Sequence, residues 1–340
     1  MSLSLGLHLI ACISDLSFNT FAMATSARVQ NSKVPHSERP VVHDAGSSPL
    51  PASRLFRVDG LVAVVTGGGT GIGAMITAAL AENGARRIYI VGRRMDKLNE
   101  VASKYPSIVV PIRADVTSKD ELAAAADVAR REIGYIHLLV ANAGVSGPML
   151  DELKPRYTLH DFVEHAWASP IEEFTDTYHV NCSSVYYTIL AFLELLDEGN
   201  KHRPESGCKS QVIATASTAS FLRHPRTGYA YLSSKAGLIS MLKTLSTFCV
   251  PWGIRFNSIA AGLFPSDMAE RLYSKYIIDR TKDVTEEGAF SRSYQPAERT
   301  GTIDDMAGLV LYMTSRAGAF LNGSVMLSDG GKLGTMPSSY

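Results

Sequence analysis

Cysteine is scarce in this chain: Cys12, Cys182, Cys208 and Cys249 are its four among 340 residues, and no two form a C-x-x-C pair. This spacing excludes a disulfide framework, and without clustered histidines it also excludes a zinc site, so no metal is expected. Charge of one sign is lacking too, because 33 Lys and Arg balance 33 Asp and Glu. Neither nucleic acid nor a membrane surface is implied as a partner. Long hydrophobic runs are also missing. The apolar stretch Leu3–Ile13 falls short of the roughly 20 residues that span a bilayer. His8 and Asp15 interrupt that region, and Met1–Leu7 has no basic residue to open a secretory signal. No membrane span is expected.

What is present is a globular composition, 46% hydrophobic, with ample material for a core. From Met23 to Ser53, Ser, Pro, Asn, Arg and His prevail without an apolar period, so residues 1–54 read as a flexible N-terminal extension. The scattered cysteines favour a reducing, cytoplasmic location. Arg28, Lys33 and Arg39 among serines leave an organellar transit peptide as the alternative, with Glu38 and Asp44 against it.

Past Phe56, short apolar runs alternate with longer helical segments, the pattern of βαβ units feeding a parallel sheet. Leu61–Thr66, Arg87–Val91, Ile108–Arg113, His137–Ala141, Gln211–Ala216, Arg255–Ala260 and Val325–Ser328 are near-continuous in apolar residues, as strands covered on both faces must be. Helices are expected at Gly73–Asn83, Asp96–Lys104, Lys119–Glu132, Pro170–Leu196, Ser233–Val250 and Ile303–Thr314, where apolar residues recur every three or four. Gly84 and Pro106 supply stop signals. Residues 55–340 are therefore expected to form one α/β domain, a single Rossmann-type, doubly wound, seven-stranded parallel sheet flanked by helices. Met149–Ser169, which follows Pro148 and includes Pro155, His160, His165 and Trp167, fits neither pattern. It is read as a loop over a ligand cleft, because loops leaving the carboxyl ends of parallel strands bind ligands in such folds; a plain surface insertion is the competing view.

Directly after the first run comes Thr66-Gly67-Gly68-Gly69-Thr70-Gly71-Ile72-Gly73, then an Ala-rich helix. Glycine has no Cβ, so the chain turns tightly and brings backbone N–H groups at a helix N-terminus against a pyrophosphate. The strand before and the helix after favour a dinucleotide-binding turn over a merely structural one. About 20 residues on, where Asp or Glu would grip the ribose of NAD, the second run ends in Val91-Gly92-Arg93-Arg94. There Gly92 leaves room for a 2′-phosphate and Arg93 offers it two parallel hydrogen bonds. NADP(H) is the expected coenzyme, against a reading in which both arginines are solvated loop charges.

Interconverting a carbonyl and an alcohol needs a proton donor and acceptor for the oxygen, and a phenol serves if its pKa is brought toward working pH. In Tyr231-Leu232-Ser233-Ser234-Lys235 the spacing puts phenol and ammonium on one helix face, and the positive charge is expected to lower the phenol's pKa. Alone, that spacing proves little. Upstream, the fifth run leads into Thr215-Ala216-Ser217-Thr218-Ala219-Ser220, which places hydroxyls at its carboxyl end. Ser217 is the favoured substrate-oxygen partner, Thr218 and Ser220 are rivals, and a capping role is the bland alternative.

With these motifs the sequence resembles the short-chain dehydrogenase/reductase family over residues 57 to about 331. The resemblance implies that Thr66, Gly67, Gly71, Ile72 and Gly73 form the coenzyme turn, and that Asp115 and Val116 contact adenine. Asn142, in Ala141-Asn142-Ala143-Gly144, matches the family's N-N-A-G element. Asn181 matches the helix asparagine that orders a proton-relay water, completing a tetrad with Ser217, Tyr231 and Lys235. Phe264 and Ser266 match positions at the nicotinamide and its phosphates, while Ala261 replaces the usual proline. The segment from Gly144 to Asn181 is longer than usual by about a dozen residues. Ser328-Asp329-Gly330-Gly331 resembles a terminal D-G-G that closes the sheet.

The implied activity is NADP(H)-dependent interconversion of a ketone and a secondary alcohol. The stretches 58–73 and 315–323 resemble fungal 3-oxoacyl-carrier-protein-reductase-like and secondary-metabolite enzymes. An apolar small-molecule ketone is expected from Phe162, Trp167, Leu263, Phe264, Leu272 and Tyr273. The family commonly pairs the two long helices with a partner's, which implies a homodimer or homotetramer. A non-catalytic, NADP-binding redox-sensing regulator on the same fold is the alternative from another class, and the intact tetrad argues against it. A lyase or epimerase is disfavoured by the short stretch remaining after Ser266.

Overall fold

The computed structural model describes residues 50–150, 156–224 and 227–340. The flexible extension read for residues 1–54 lies almost wholly outside the described residues, as does Pro155. The compact unit begins at Leu50, and Ala52–Leu55 is already a helical turn.

Among the described residues, seven strands and nine longer helices follow in βα order. The strands are β1 (Val62–Thr66), β2 (Arg87–Gly92), β3 (Val109–Arg113), β4 (Leu138–Ala141), β5 (Gln211–Ser217), β6 (Arg255–Ala261) and β7 (Val325–Ser328). The helices are α1 (Gly71–Glu82), α2 (Met95–Ala102), α3 (Lys119–Glu132), α4 (Leu159–Trp167), α5 (Ile171–Tyr178), α6 (Ser184–Lys201), α7 (Tyr229–Phe248), α8 (Asp267–Tyr273) and α9 (Ile303–Thr314). All strands run parallel in the order β3-β2-β1-β4-β5-β6-β7. Strand order reverses between β1 and β4, so connections leave their carboxyl ends in opposite directions and open a crevice there.

The near-continuous apolar runs are explained by two-sided burial. In β1, Ala63 and Val65 join the core on one face, with Ile76, Leu80 and Val310, while Val62 and Val64 join the other, with Ile189, Phe192 and Leu238. Each fully buried aliphatic side chain contributes roughly 1.5–3 kcal/mol, so a one-residue slip would exchange both faces at once.

The sequence-based elements are present, with shifts of a few residues at most ends. Two differences bear on the site. Pro170–Leu196 is not one uniform helix: α5 and α6 are joined by a π-helical turn, His179–Ser183. Met149–Ser169 is not all loop, because α4 lies within it, opened by a capping box in which Thr158 and Asp161 bond reciprocally. Leu159, Phe162, Val163, Ala166 and Trp167 recur at helical spacing along α4, yet none of its residues is buried. No helix among the described residues is long and apolar enough to cross a membrane.

One buried polar residue fixes where β4 begins. The His137 Nδ1 accepts the Val62 N–H at 3.0 Å, leaving Nε2 to donate to the His202 carbonyl at 2.7 Å. Both ring nitrogens are thus used by the neutral tautomer, and burial pushes the His137 pKa below 6.5. The unfolded chain then binds a proton more readily than the folded one. This contribution to stability is complete above pH 6.5 and is lost as pH falls through the lower folded value. Thermal unfolding measured from neutral pH downward should show Tm falling across this window, and the fall should be smaller in His137→Asn, which offers an acceptor without a titrating ring.

Candidate active site

At the carboxyl edge of the sheet three strand ends are tied by hydrogen bonds. The Thr66 hydroxyl accepts the N–H groups of Asn142 (3.0 Å) and Ala143 (3.2 Å), and the Asn142 amide donates back to the Thr66 carbonyl at 3.1 Å. From β5, the Thr215 hydroxyl donates to Asn142 Oδ1 at 3.0 Å. The ends of β1, β4 and β5 therefore hold one another, and the glycine turn leaves from this tie.

Gly67 and Gly71 have φ of +66° and +52°, where side chains are strained. A Cβ on Gly73 would stand 2.2 Å from the Gly67 carbonyl oxygen. The turn is thus closed to any side chain, and its backbone, followed by the start of α1, forms the floor of a cavity of about 1200 Å³. Gly67, Gly71 and Ile72 line this cavity; Thr66 and Gly73 stand behind it as structural support. An exposed backbone at a helix N-terminus fits a pyrophosphate.

Three cations border that end. Arg93 and Arg94 follow β2, and Lys97 projects from α2. Arg93 is mostly exposed, 3.8 Å from the Asp115 carboxylate. The Asp115 carboxylate also accepts the N–H and hydroxyl of Thr117, and these bonds hold its pKa below the ordinary value. Val116 lines the cavity, with Asp115 flanking it. Arg94 spans to the far wall, donating to Asp267 at 3.1 Å and to the Thr70 hydroxyl at 3.2 Å. Sequence reasoning treated Arg94 only as a possible solvated charge and did not single out Lys97. Their adjacency to Gly92 and the first turn of α2 was the available signal.

Phe264 and Ser266 line the cavity opposite the glycine turn. The Phe264 ring is buried against Gly301, and Ser266 caps α8 by accepting the Ala269 N–H at 3.2 Å. Ala261 is the buried last residue of β6.

The polar group at the centre is assembled from three elements. α7 begins four residues earlier than the periodicity suggests, so Tyr231 and Lys235 both lie within it, one turn apart. Both line the cavity, as does Ser217 at the end of β5. The Ser217 hydroxyl accepts the Ala219 N–H at 3.1 Å, a capping role, and its side chain lines the cavity beside Tyr231, whose pKa it lowers. Of its rivals, Thr218 lines the cavity; Ser220 does not, and its hydroxyl is buried without a partner.

Lys235 Nζ donates to the Thr215 carbonyl at 2.8 Å and lies 5.9 Å from the centre of the Tyr231 ring. Desolvation lowers the Lys235 pKa from 10.5 to about 8. Desolvation also raises the Tyr231 pKa above 10, against the lowering effect of Ser217. The expectation that the ammonium would depress the phenol is thus corrected. The sequence argument counted the neighbouring charge, whereas desolvation of the half-buried phenol disfavours phenolate more strongly.

Asn181, in the π-turn, is fully buried and does not line the cavity. Its side chain clamps both backbone groups of Val145, at 3.0 Å each, and donates to the Ser234 hydroxyl at 3.1 Å. It lies behind Gly144, where a Cβ would come within 3.0 Å of Asn181 Oδ1 and 3.3 Å of Lys235 Nζ.

Away from Arg93, Arg94 and Lys97, the cavity wall includes the apolar Met149, Phe162, Leu222, Leu263, Leu272 and Met336, with Lys275 and Lys332 among them. Two residues expected there are elsewhere. Trp167, at the outer end of α4, is 86% exposed. Tyr273 turns into a small core with Phe290, ring against ring at 5.9 Å. No group of residues that could hold a metal occurs among the described residues.

A family model described as enoyl-(acyl carrier protein) reductase matches residues 67–332. Among curated proteins, the short-chain dehydrogenase/reductase PhomF of Diaporthe leptostromiformis is 44% identical over 294 residues, covering 86% of this chain and 97% of that protein. The chain belongs to the short-chain dehydrogenase/reductase family. It is an oxidoreductase of the class acting on CH–OH and C=O groups. Another short-chain dehydrogenase/reductase relative, the versicolorin reductase of Emericella nidulans, is 28% identical over 83% of this chain and 99% of its own. The solved structure described as the Pseudomonas aeruginosa RhlG/NADP active-site complex is 28% identical with a TM-score of 0.65, covering 82% of this chain and 99% of that one. A nicotinamide nucleotide is the family's coenzyme, in keeping with the glycine turn.

Proposed function

We propose that this protein is an NADPH-dependent reductase of an apolar ketone, with Tyr231 as the acid that protonates the developing alcohol. The observation that carries this reading is that the half-buried Tyr231 phenol, Ser217 and Lys235, the last one helical turn on, line the same cavity as the glycine turn. The bound coenzyme supplies the hydride. Ser217 and Tyr231 hold the substrate oxygen, and Tyr231 Oη gives it a proton. Because burial holds the phenol protonated at neutral pH, it starts as a donor, which suits reduction. Lys235 is a cation at neutral pH and stabilises the phenolate left behind. The Asn181 side chain is committed to Val145 and Ser234, so its part in proton return is to hold that wall and, through its backbone in the π-turn, a water.

In a ketone panel, Tyr231→Phe should lower kcat at least about a hundredfold with the NADPH Kd unchanged; equal turnover would remove Tyr231 from this role. Wild-type reduction should weaken as pH rises through about 8, where Lys235 loses its proton.

The preference for NADPH rests on Arg93, with Arg94 and Lys97 beside it and no carboxylate at the end of β2. Arg93→Ala should weaken NADPH binding about tenfold and NADH binding little, read by fluorescence titration. Equal loss for both would assign Arg93 elsewhere. The apolar wall supports a bulky ketone, and a secondary metabolite is favoured over a 3-oxoacyl group by the relative named for versicolorin.

The same reading includes self-association through α6 and α7. Tyr186, Tyr187 and Leu190 on α6, and Phe248, Val250 and Trp252 at the end of α7, are exposed in the single chain. Sedimentation should give at least twice 36.7 kDa, and Leu190→Glu should reduce it toward one chain.

A further inference from the structure

The loop that continues β5 past Ser217 is paired with the segment after β7. Beyond Ser328, the Asp329 carboxylate accepts the N–H groups of Gly331 at 2.9 Å and Leu333 at 2.6 Å, and Leu333 is buried, which anchors the root of that segment. The chain then runs extended beside the Ser217 loop. Arg223 N–H donates to the Pro337 carbonyl and Ser339 N–H to the Phe221 carbonyl, each at 2.8 Å. Leu222 and Ser338 form an antiparallel bridge, and the Tyr340 ring meets Phe221 edge-on at 4.9 Å. Leu222, from the loop, and Met336, from the segment, both line the cavity.

We propose that Met336–Tyr340 is a positioning element of the active site: its pairing with Phe221–Arg223 holds the Ser217 loop in place, and Met336 sets the width of the substrate end. This rests on the ketone-reductase reading of the cavity. The loop starts at Ser217, which lines the cavity together with Tyr231. A displacement there moves the Ser217 hydroxyl and the Leu222 wall together, while the glycine turn and the cations lie on other elements. The pairing therefore acts on the ketone and not on the coenzyme.

The test compares wild type, Ser339→Pro, Ser339→Ala and Met336→Ala in the full chain, using a panel of small and bulky ketones. NADPH Kd is measured by fluorescence, Tm by thermal unfolding, and amide exchange is followed over residues 218–224. Ser339→Pro removes the donated N–H; it should raise the ketone KM about tenfold and speed exchange at Leu222 and Arg223, with NADPH Kd and Tm unchanged. Ser339→Ala keeps the N–H and loses only the longer bond from the Ser339 hydroxyl to the same Phe221 carbonyl, 3.2 Å, so it should stay within about twofold of wild type. Met336→Ala should shift kcat/KM toward bulky ketones about tenfold. A folded Ser339→Pro protein with wild-type KM and exchange would overturn the proposal. If that variant does not fold, an unchanged ketone preference in Met336→Ala overturns it instead. Should wild type reduce no ketone with NADPH, the parent reading fails, and the exchange comparison still decides whether the pairing holds the loop.

Discussion

The site depends on the hydrogen-bonded tie between Thr66, Asn142 and Thr215. A parallel sheet leaves its strand ends ragged, because nothing in the ladder fixes where one strand stops relative to the next. Here two side chains from outer strands meet an asparagine between them, so the start of the glycine turn and the Thr215 carbonyl that anchors Lys235 share one reference point. Each such bond is worth about 1 kcal/mol net, but leaving a buried partner unmatched costs about 1–3 kcal/mol. The tie is therefore more demanding of geometry than its stabilisation alone suggests.

Burial governs the chemistry behind this tie. A lysine with its pKa near 8 and a tyrosine held above 10 are both consequences of desolvation by the surrounding protein. Desolvation works on the two groups in the same sense, keeping each nearer its neutral form. That pair differs from a surface Tyr–Lys pair, in which mutual attraction would dominate and both would remain close to ordinary values. The surrounding protein thus acts on the protonation of Tyr231 and Lys235 as well as on stability.

Much of the fold was legible because βα alternation leaves strong marks: two-faced apolar strands, period-bearing helices and glycine where the backbone must approach itself. Tyr231, Lys235, Ser217 and the glycine turn were readable for the same reason, since each sits at a fixed place relative to a strand end. What escaped were features set by tertiary surroundings. The helix Leu159–Trp167 carries both a helical apolar period and a Thr158–Asp161 cap, but it buries nothing, and the prolines and histidines around it favoured a loop reading. Tyr273 faces Phe290 instead of the cavity, a choice made by packing that composition does not record. The sign of the Tyr231 shift required burial, which spacing alone does not contain. Arg94 was visible as a charge, but its reach to Asp267 depends on two segments 173 residues apart.

The π-turn at His179–Ser183 has a geometric consequence. An α-helix advances about 100° per residue, so one residue accommodated in a wider turn rotates everything after it by about that angle relative to a regular helix. The chain before and after the turn therefore runs in two different angular phases. Asn181 points inward to brace the wall behind Lys235, while Tyr186, Tyr187 and Leu190 point outward. A single continuous rod serves two surfaces whose angular separation a uniform helix with the same sequence would not provide.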